Sequence, residues 1–138
     1  MKTSNYLLDT NICIELLRGN TDVSRKLIAL GEGRCALSVI TLYELMFGAY
    51  YSKRQEQEVP KVKMFVEHFP IIPLIDAVEK YAITKTRLRS DGILIDEFDL
   101  MIAATALSGG YILVTDNIKH FQRIAGLKIE NWIKRKQE

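Results

Sequence analysis

Short apolar runs alternate along this chain with stretches of helical periodicity, and that alternation narrows the fold more than any other feature. Tyr6-Leu7-Leu8 reads as a buried strand, and Asp9-Thr10-Asn11 then opens a helix with Ile12, Cys13, Leu16 and Leu17 on one face, stopped by Gly19. Asn20 and Thr21 are candidate caps for a second helix carrying Val23, Leu27 and Leu30, ended at Gly31 to Gly33. Cys35 to Ile40 predicts a second strand, after which Thr41 begins a helix with Leu42, Leu45, Met46 and Ala49 at core spacing. Ser52 to Glu58 is polar enough for an exposed loop or for the wet end of a long helix. Pro60 fits a first helical turn, with Met64, Phe65 and Phe69 to bury behind it. Ile71 to Ile75 contains Pro73 and is expected at a sheet edge. Asp76 is expected to cap a helix reaching about Ser90, with Val78, Tyr81, Ala82 and Leu88 inward. Asp96 or Glu97 opens an Ala-rich helix from Asp99 to Leu107, apolar on nearly every side and therefore central. Gly109-Gly110 closes it, Tyr111 to Val114 is a strand, Thr115-Asp116-Asn117 is the turn beyond, and a last strand is expected over Leu127 to Ile129. Elements alternating at these lengths imply an α/β fold, a three-layer α/β/α sandwich with a mostly parallel central sheet, in a single domain spanning 1–138.

Composition removes several other classes. With 48% hydrophobic residues and a net charge of only +2, the chain of 138 residues has enough apolar surface to order itself, and it carries no long basic block. Cys13 and Cys35 stand far apart outside any CxxC spacing, so neither a disulfide framework nor a zinc knuckle is indicated. The apolar stretch after Lys2 is cut by Asp9 before a signal-peptide core forms. The longest uncharged run, Leu100 to Thr115, is broken by Gly109-Gly110 and falls short of the roughly 20 residues of a membrane span. A cytoplasmic protein with no membrane partner is the expectation.

Ligands in open α/β sheets sit beyond the carboxyl ends of the strands, where the chain switches direction. Acids occupy those places: Asp9 follows the first strand, Asp116 follows the late one, and Glu44 and Asp99 lie in the first turns of helices starting near the same edge. Four carboxylates on one rim repel each other unless a cation joins them, and oxygen ligands without histidine suit Mg²⁺ or Mn²⁺ rather than zinc. Each acid also has a plainer explanation. Thr41-x-x-Glu44 is a capping box, Asp96-x-x-Asp99 pairs a cap with an acid that complements the helix dipole, and Asp9 and Asp116 suit caps or turns. Independent caps need not fall on one side of a sheet, which favours the joint reading. Haloacid-dehalogenase phosphatases also place an acid after the first strand but need a DxD pair, whereas Thr10 and Asn11 follow Asp9; a receiver module expects adjacent early acids.

The segments LLDTN (Leu7 to Asn11), SVITLYELMFGA (Ser38 to Ala49), DEFDLMIAATALSGGYILVTDN (Asp96 to Asn117) and IKHF (Ile118 to Phe121) resemble PIN domains, most closely the VapC-type toxins of toxin–antitoxin pairs. The resemblance spans nearly the whole chain in the expected order. It implies a Mg²⁺- or Mn²⁺-dependent endoribonuclease in which Asp9, Glu44 and Asp99 match the three acids of the family pattern and Asp116 the more variable fourth. Asn11 and Thr115 match neighbouring polar positions that orient the acids, and Asp96 is a cap within reach of a water at the ion. The implied chemistry is in-line hydrolysis by an activated water, leaving 5′-phosphate and 3′-hydroxyl ends. Asp9 and Asp99 are the first candidates for direct metal ligands, Glu44 for a ligand or acceptor of the water's proton, and Asp116 for a second ion. A PIN-fold RNA-processing or DNA nuclease outside a toxin system, or a non-catalytic PIN binding module, are the alternatives.

Substrate recognition is less legible. Lys119, His120 and Arg123 follow the acidic turn and are candidates to line an RNA path, as are Arg87 and Arg89, though a solvated helix face is the simpler explanation of all of them. Lys134 to Lys136 form a short basic tail. The family implies structured RNA, often tRNA, together with a small cognate antitoxin and a homodimer. Tyr43, Phe47 and Tyr50 add a second apolar stripe to the Thr41 helix, read either as deep burial or as a face for such a partner. Carboxylates neutralised by cations would leave a basic remainder, so the near-neutral total does not exclude a nucleic acid.

Overall fold

Residues 5–134 are described by the structure, a computed structural model. Five short strands, β1 (Tyr6–Leu8), β2 (Cys35–Ser38), β3 (Ile71–Ile72), β4 (Ile112–Val114) and β5 (Ile129–Glu130), form one sheet in the order β3-β2-β1-β4-β5. Every pairing is parallel, with Leu8 opposite Val114 and Tyr6 opposite Cys35. The chain therefore winds outward from β1 through β2 and β3, then returns to lay β4 and β5 on the other side, and the switch in direction falls beside β1. Parallel strands need crossovers, supplied by α1 (Thr10–Leu17), α2 (Thr21–Leu30), α3 (Val39–Tyr51), α4 (Gln55–Val66), α5 (Val78–Ser90), α6 (Glu97–Gly109) and the short α7 (Ile118–Phe121).

Period-two alternation along the strands divides the interior in two. Leu8, Cys35, Leu37 and Val114 point to one face, where they pack with Ile12 and Cys13 of α1, Val23 and Leu27 of α2, Leu45 and Ala49 of α3, and Val62 of α4. Leu7, Ala36 and Leu113 point to the other, against Leu88 of α5, Leu100, Ile102, Ala103 and Ala106 of α6, and Phe121 of α7. That is the three-layer sandwich expected. Both β1 and β2 are buried on both faces, which explains why they read as uninterrupted apolar runs. Helix α6 is buried around most of its circumference, and Gly110, at φ +69°, ends it in the left-handed conformation. A Cβ on Gly109 would collide with the ring of Tyr111.

Several boundaries differ from expectation. Strand β2 stops at Ser38, whose hydroxyl caps α3 by accepting from the Ile40 N–H at 2.9 Å, so the helix starts two residues before Thr41. Thr41 is consequently no cap, and Glu44 falls in the second turn. The polar Ser52–Glu58 segment divides: Ser52 leaves the helical conformation, and α4 restarts at Gln55 because Gln and Glu are good helix formers. Pro60 thus lies inside α4 rather than in its first turn; it and Glu56 are exposed, so the carbonyl it leaves unpaired faces water. Asp76 caps nothing, since a 3₁₀ turn over Ile75–Ala77 precedes α5. That turn rephases the helix, and the inward stripe becomes Ala77, Tyr81, Thr84 and Leu88, leaving Val78 and Ala82 exposed. Tyr43, Phe47 and Tyr50 are solvent-exposed, not deeply buried, and the ring of Phe47 stacks on that of Tyr51. Beyond Lys134 the basic tail lies outside the described residues. No helix among the described residues is long and apolar enough to cross a membrane.

Leu113 is fully buried at the centre of the sheet, so Leu113→Ala is expected to cost about 2–5 kcal/mol in urea unfolding. Asn20 caps α2 by accepting from the Val23 N–H at 3.1 Å, and Asn20→Ala should cost about 1 kcal/mol in the same assay.

Candidate active site

The β1/β4 pairing carries Asp9 to the switch point. Its backbone N–H donates to the Val114 carbonyl at 2.9 Å, extending the ladder one residue past the strand, and its side chain caps α1. One carboxylate oxygen accepts from the Thr10 N–H at 2.8 Å; the other accepts from the fully buried hydroxyl of Thr115 at 2.7 Å. Asp9 itself is only 4% exposed. From α3, Glu44 reaches the same notch, where its Oε1 accepts from the Thr10 hydroxyl at 2.6 Å. Asp99 enters from the first turn of α6, behind the Asp96 cap, whose carboxylate accepts from the N–H groups of Phe98 and Asp99. Asp96 is therefore the cap expected of it.

Electrostatics tie these acids together. Burial pushes the Asp99 carboxyl up to about 7, with further contributions from the negative charges of Asp9, Asp96 and Glu44. Burial also raises Asp9, against the opposing hydrogen bonds from Thr115 and Thr10, and Glu44 raises it further. Asp116 occupies the rim beyond β4, where its Oδ1 accepts from the Asn131 amide at 3.1 Å. Asn11 holds that rim by accepting from the Asp116 N–H at 3.3 Å, so it shapes the turn backbone and not a carboxylate.

The chain has counterparts among known proteins. The model of the PIN domain matches residues 6–127. The chain belongs to the PIN domain family. Within it, ribonuclease VapC2 of Rickettsia felis is 36% identical over 132 residues, covering 94% of this chain and 98% of the relative. The tRNA(fMet)-specific endonuclease VapC of Shigella flexneri is 33% identical over 128 residues, covering 92% and 97%. A solved structure of VapBC2 from Rickettsia felis, bound to a DNA fragment from its promoter, superposes with a TM-score of 0.88 at 35% identity, covering 93% of this chain and 98% of that one.

This PIN domain contains partners that sequence reasoning overlooked. His120, on α7, brings Nε2 to 3.2 Å from Asp99 Oδ2. The nitrogen is buried without a hydrogen bond, near enough to pair with the carboxylate but out of line for donation. The IKHF segment was the available signal, but the sequence placed His120 only as a candidate on the RNA path, not against an acid. Thr10, Thr41 and Asn131 were likewise missed, because their contacts join segments distant in sequence. Lys119 and Arg123 are exposed to either side of His120, and no salt bridge among the described residues joins either to Asp9, Glu44 or Asp99. Among the described residues, no three His, Cys, Asp or Glu side chains converge closely enough to hold a metal as they stand. The donor chemistry nevertheless fits a hard divalent cation: the three side chains offer only oxygen ligands, and the Asp9 and Asp99 carboxyls are raised by burial and by acidic neighbours, a shift a cation would reverse.

An acid whose folded pKa exceeds its unfolded value binds protons more tightly when folded. It therefore lowers stability as pH rises from about 4 through about 7. Asp99→Asn should stabilise the metal-free protein at pH 8, and the gain should vanish below pH 4, measured by urea unfolding across pH. Saturating Mn²⁺ should remove the gain at pH 8 by stabilising the wild type alone.

Proposed function

We propose that this PIN domain is a divalent-metal-dependent endoribonuclease acting as the toxin of a VapBC pair, with RNA, including tRNA, as substrate. The observation that carries the reading is the gathering of Asp9, Glu44 and Asp99 at the carboxyl edge of a parallel sheet, with the Asp9 and Asp99 carboxyls raised by burial and by neighbouring negative charge. Structural caps have no need of that arrangement, whereas a cation site does. The family match and the names of the relatives support the same activity.

Asp9, Asp99 and Glu44 would hold Mg²⁺ or Mn²⁺, with Asp116 at the rim for a second ion. The cation supplies Lewis acidity toward a phosphodiester and a lowered pKa for water. The chain's own residues do the positioning. Thr115 and the Thr10 N–H fix both oxygens of Asp9, so this carboxylate presents its remaining lone pairs in one orientation. Burial of Asp9 beneath the rim keeps bulk water from screening its charge. No side-chain nucleophile is needed, and the products carry 5′-phosphate and 3′-hydroxyl ends. Lys119 and Arg123 are candidates to meet phosphates flanking the cut.

The exposed aromatic face of α3, with Phe47 69% exposed, supports a protein partner: a homodimer or a cognate antitoxin. Light scattering should report a dimer for the wild type and a monomer for Phe47→Glu if this face joins two copies. Co-purification with a small protein encoded upstream tests the antitoxin.

Incubation of purified protein with total RNA, with Mg²⁺, Mn²⁺ or EDTA, followed by mapping of cut ends, tests the activity. Cleavage is expected with either metal and not with EDTA. Asp9→Asn and Asp99→Asn should lose more than about 100-fold in rate with unchanged circular dichroism. Cleavage that persists in these variants would overturn the assignment.

A further inference from the structure

Thr10 grips two acids at once. Its N–H donates to Asp9 at 2.8 Å, and its hydroxyl lies 2.6 Å from Glu44 Oε1 and 3.2 Å from Thr41 Oγ1. A threonine hydroxyl owns one proton, and a carboxylate oxygen can only accept. The shorter contact therefore takes the Thr10 proton, at a length usual for a hydroxyl donating to a charged oxygen. The longer contact must then run the other way, with Thr41 donating to Thr10. Thr41 is fully buried and one turn before Glu44 on α3, whereas Thr10 opens α1, so the chain of two hydroxyls also joins the two helices. Glu44 Oε2 has no hydrogen bond among the described residues.

We propose that Thr41 and Thr10 form a directional hydroxyl relay that positions Glu44, engaging Oε1 and leaving Oε2 as the oxygen offered to the cation. The inference rests on the metal-dependent reading above. Neither threonine touches the cation; both are positioning residues. A glutamate has three side-chain torsions to order before it can ligate, and the relay orders them in the free protein, so its loss falls on cation affinity. Two neutral donors in sequence also polarise each other, so each strengthens the other's hold on the carboxylate. Because the donors carry no charge, Glu44 is held without being neutralised, which a lysine or arginine in the same place would not allow.

Calorimetric titration of the full chain with Mn²⁺ alone tests this. Thr10→Val, which keeps the shape and removes the hydroxyl, should weaken Mn²⁺ binding about tenfold. Thr10→Ser should restore it to within about threefold of wild type, and Thr41→Val should weaken it by a smaller factor. The Mn²⁺-induced rise in melting temperature should shrink in both valine variants, a readout that a merely structural threonine would leave unchanged. In a Glu44→Ala background Thr10→Val should have no further effect. Wild-type affinity in Thr10→Val, failure of Thr10→Ser to restore binding, or a full Thr10→Val effect without Glu44 would each overturn the relay. If Thr10→Val does not fold, unaltered binding by Thr41→Val overturns it, and weakened binding supports it. A wild type that binds Mn²⁺ in a Thr10-dependent way yet cuts no RNA sinks the nuclease reading and leaves the relay standing. One that cuts RNA with Thr10→Val unimpaired in binding does the reverse.

Discussion

Parallel pairing of β1 with β4 is the constraint on which everything else depends. It sets Leu8 against Val114, and one residue later hydrogen-bonds the Asp9 backbone to β4, so the two chain reversals that follow open side by side. Residues more than a hundred positions apart thereby share one notch, and Thr115 becomes the hydroxyl that Asp9 needs. The remaining acids arrive on helices that pack against the same sheet. Helix α3 leaves β2 through the Ser38 cap, and α6 begins at the Asp96 cap, packed beneath the sheet by its alanine-rich body. A register slip at β1/β4 would turn Leu7 and Leu8 to the wrong faces and separate Asp9 from Thr115 together.

The notch is built so that negative charge is held without being cancelled. Asp9 is anchored by an amide and a hydroxyl, and Glu44 by a hydroxyl. The lysine nearest the start of α6, Lys85, is committed elsewhere: its Nζ lies 2.6 Å from Glu97, which also accepts from Tyr81. That pairing lowers the Glu97 carboxyl, while Asp99, two residues on, is pushed up to about 7 by burial and by its acidic neighbours. Adjacent acids on one helical turn thus have opposite roles, one neutralised at the surface and one left in electrostatic tension beneath it. A divalent cation bound there would relieve that tension and, by favouring the folded state, would couple stability to its concentration.

Much of this was legible in the sequence because hydrophobic periodicity and caps are local. The apolar runs at Tyr6–Leu8 and Ile112–Val114, the Asn20 and Asp96 caps, and the glycines after α2 and α6 all stand where the pattern indicates. Errors arose where a local signal had two uses. Thr41-x-x-Glu44 reads as a capping box, but Ser38 had already capped the helix, which freed Thr41 to meet Thr10. Pro60 reads as a helix start, yet favourable residues before it extended α4 through an exposed position that tolerates the lost hydrogen bond. The Tyr43, Phe47 and Tyr50 stripe has the spacing of a core face and lies in solvent, because periodicity records that a face is apolar and not what covers it.

The sequence by itself determined the α/β alternation and the two-faced burial of the strands, since each follows from residue type and short-range spacing, and it named the acids as candidates. Only the tertiary structure decided which hydroxyl serves which carboxylate: Thr115 with Asp9, Thr10 with Glu44, and Thr41 behind Thr10. It also decided that His120 stands against Asp99. The reason is physical. A strand's pattern is set by neighbours two residues away, whereas a hydrogen bond at 2.6–3.2 Å between side chains 31 to 106 residues apart depends on how the whole sheet brings its edges together.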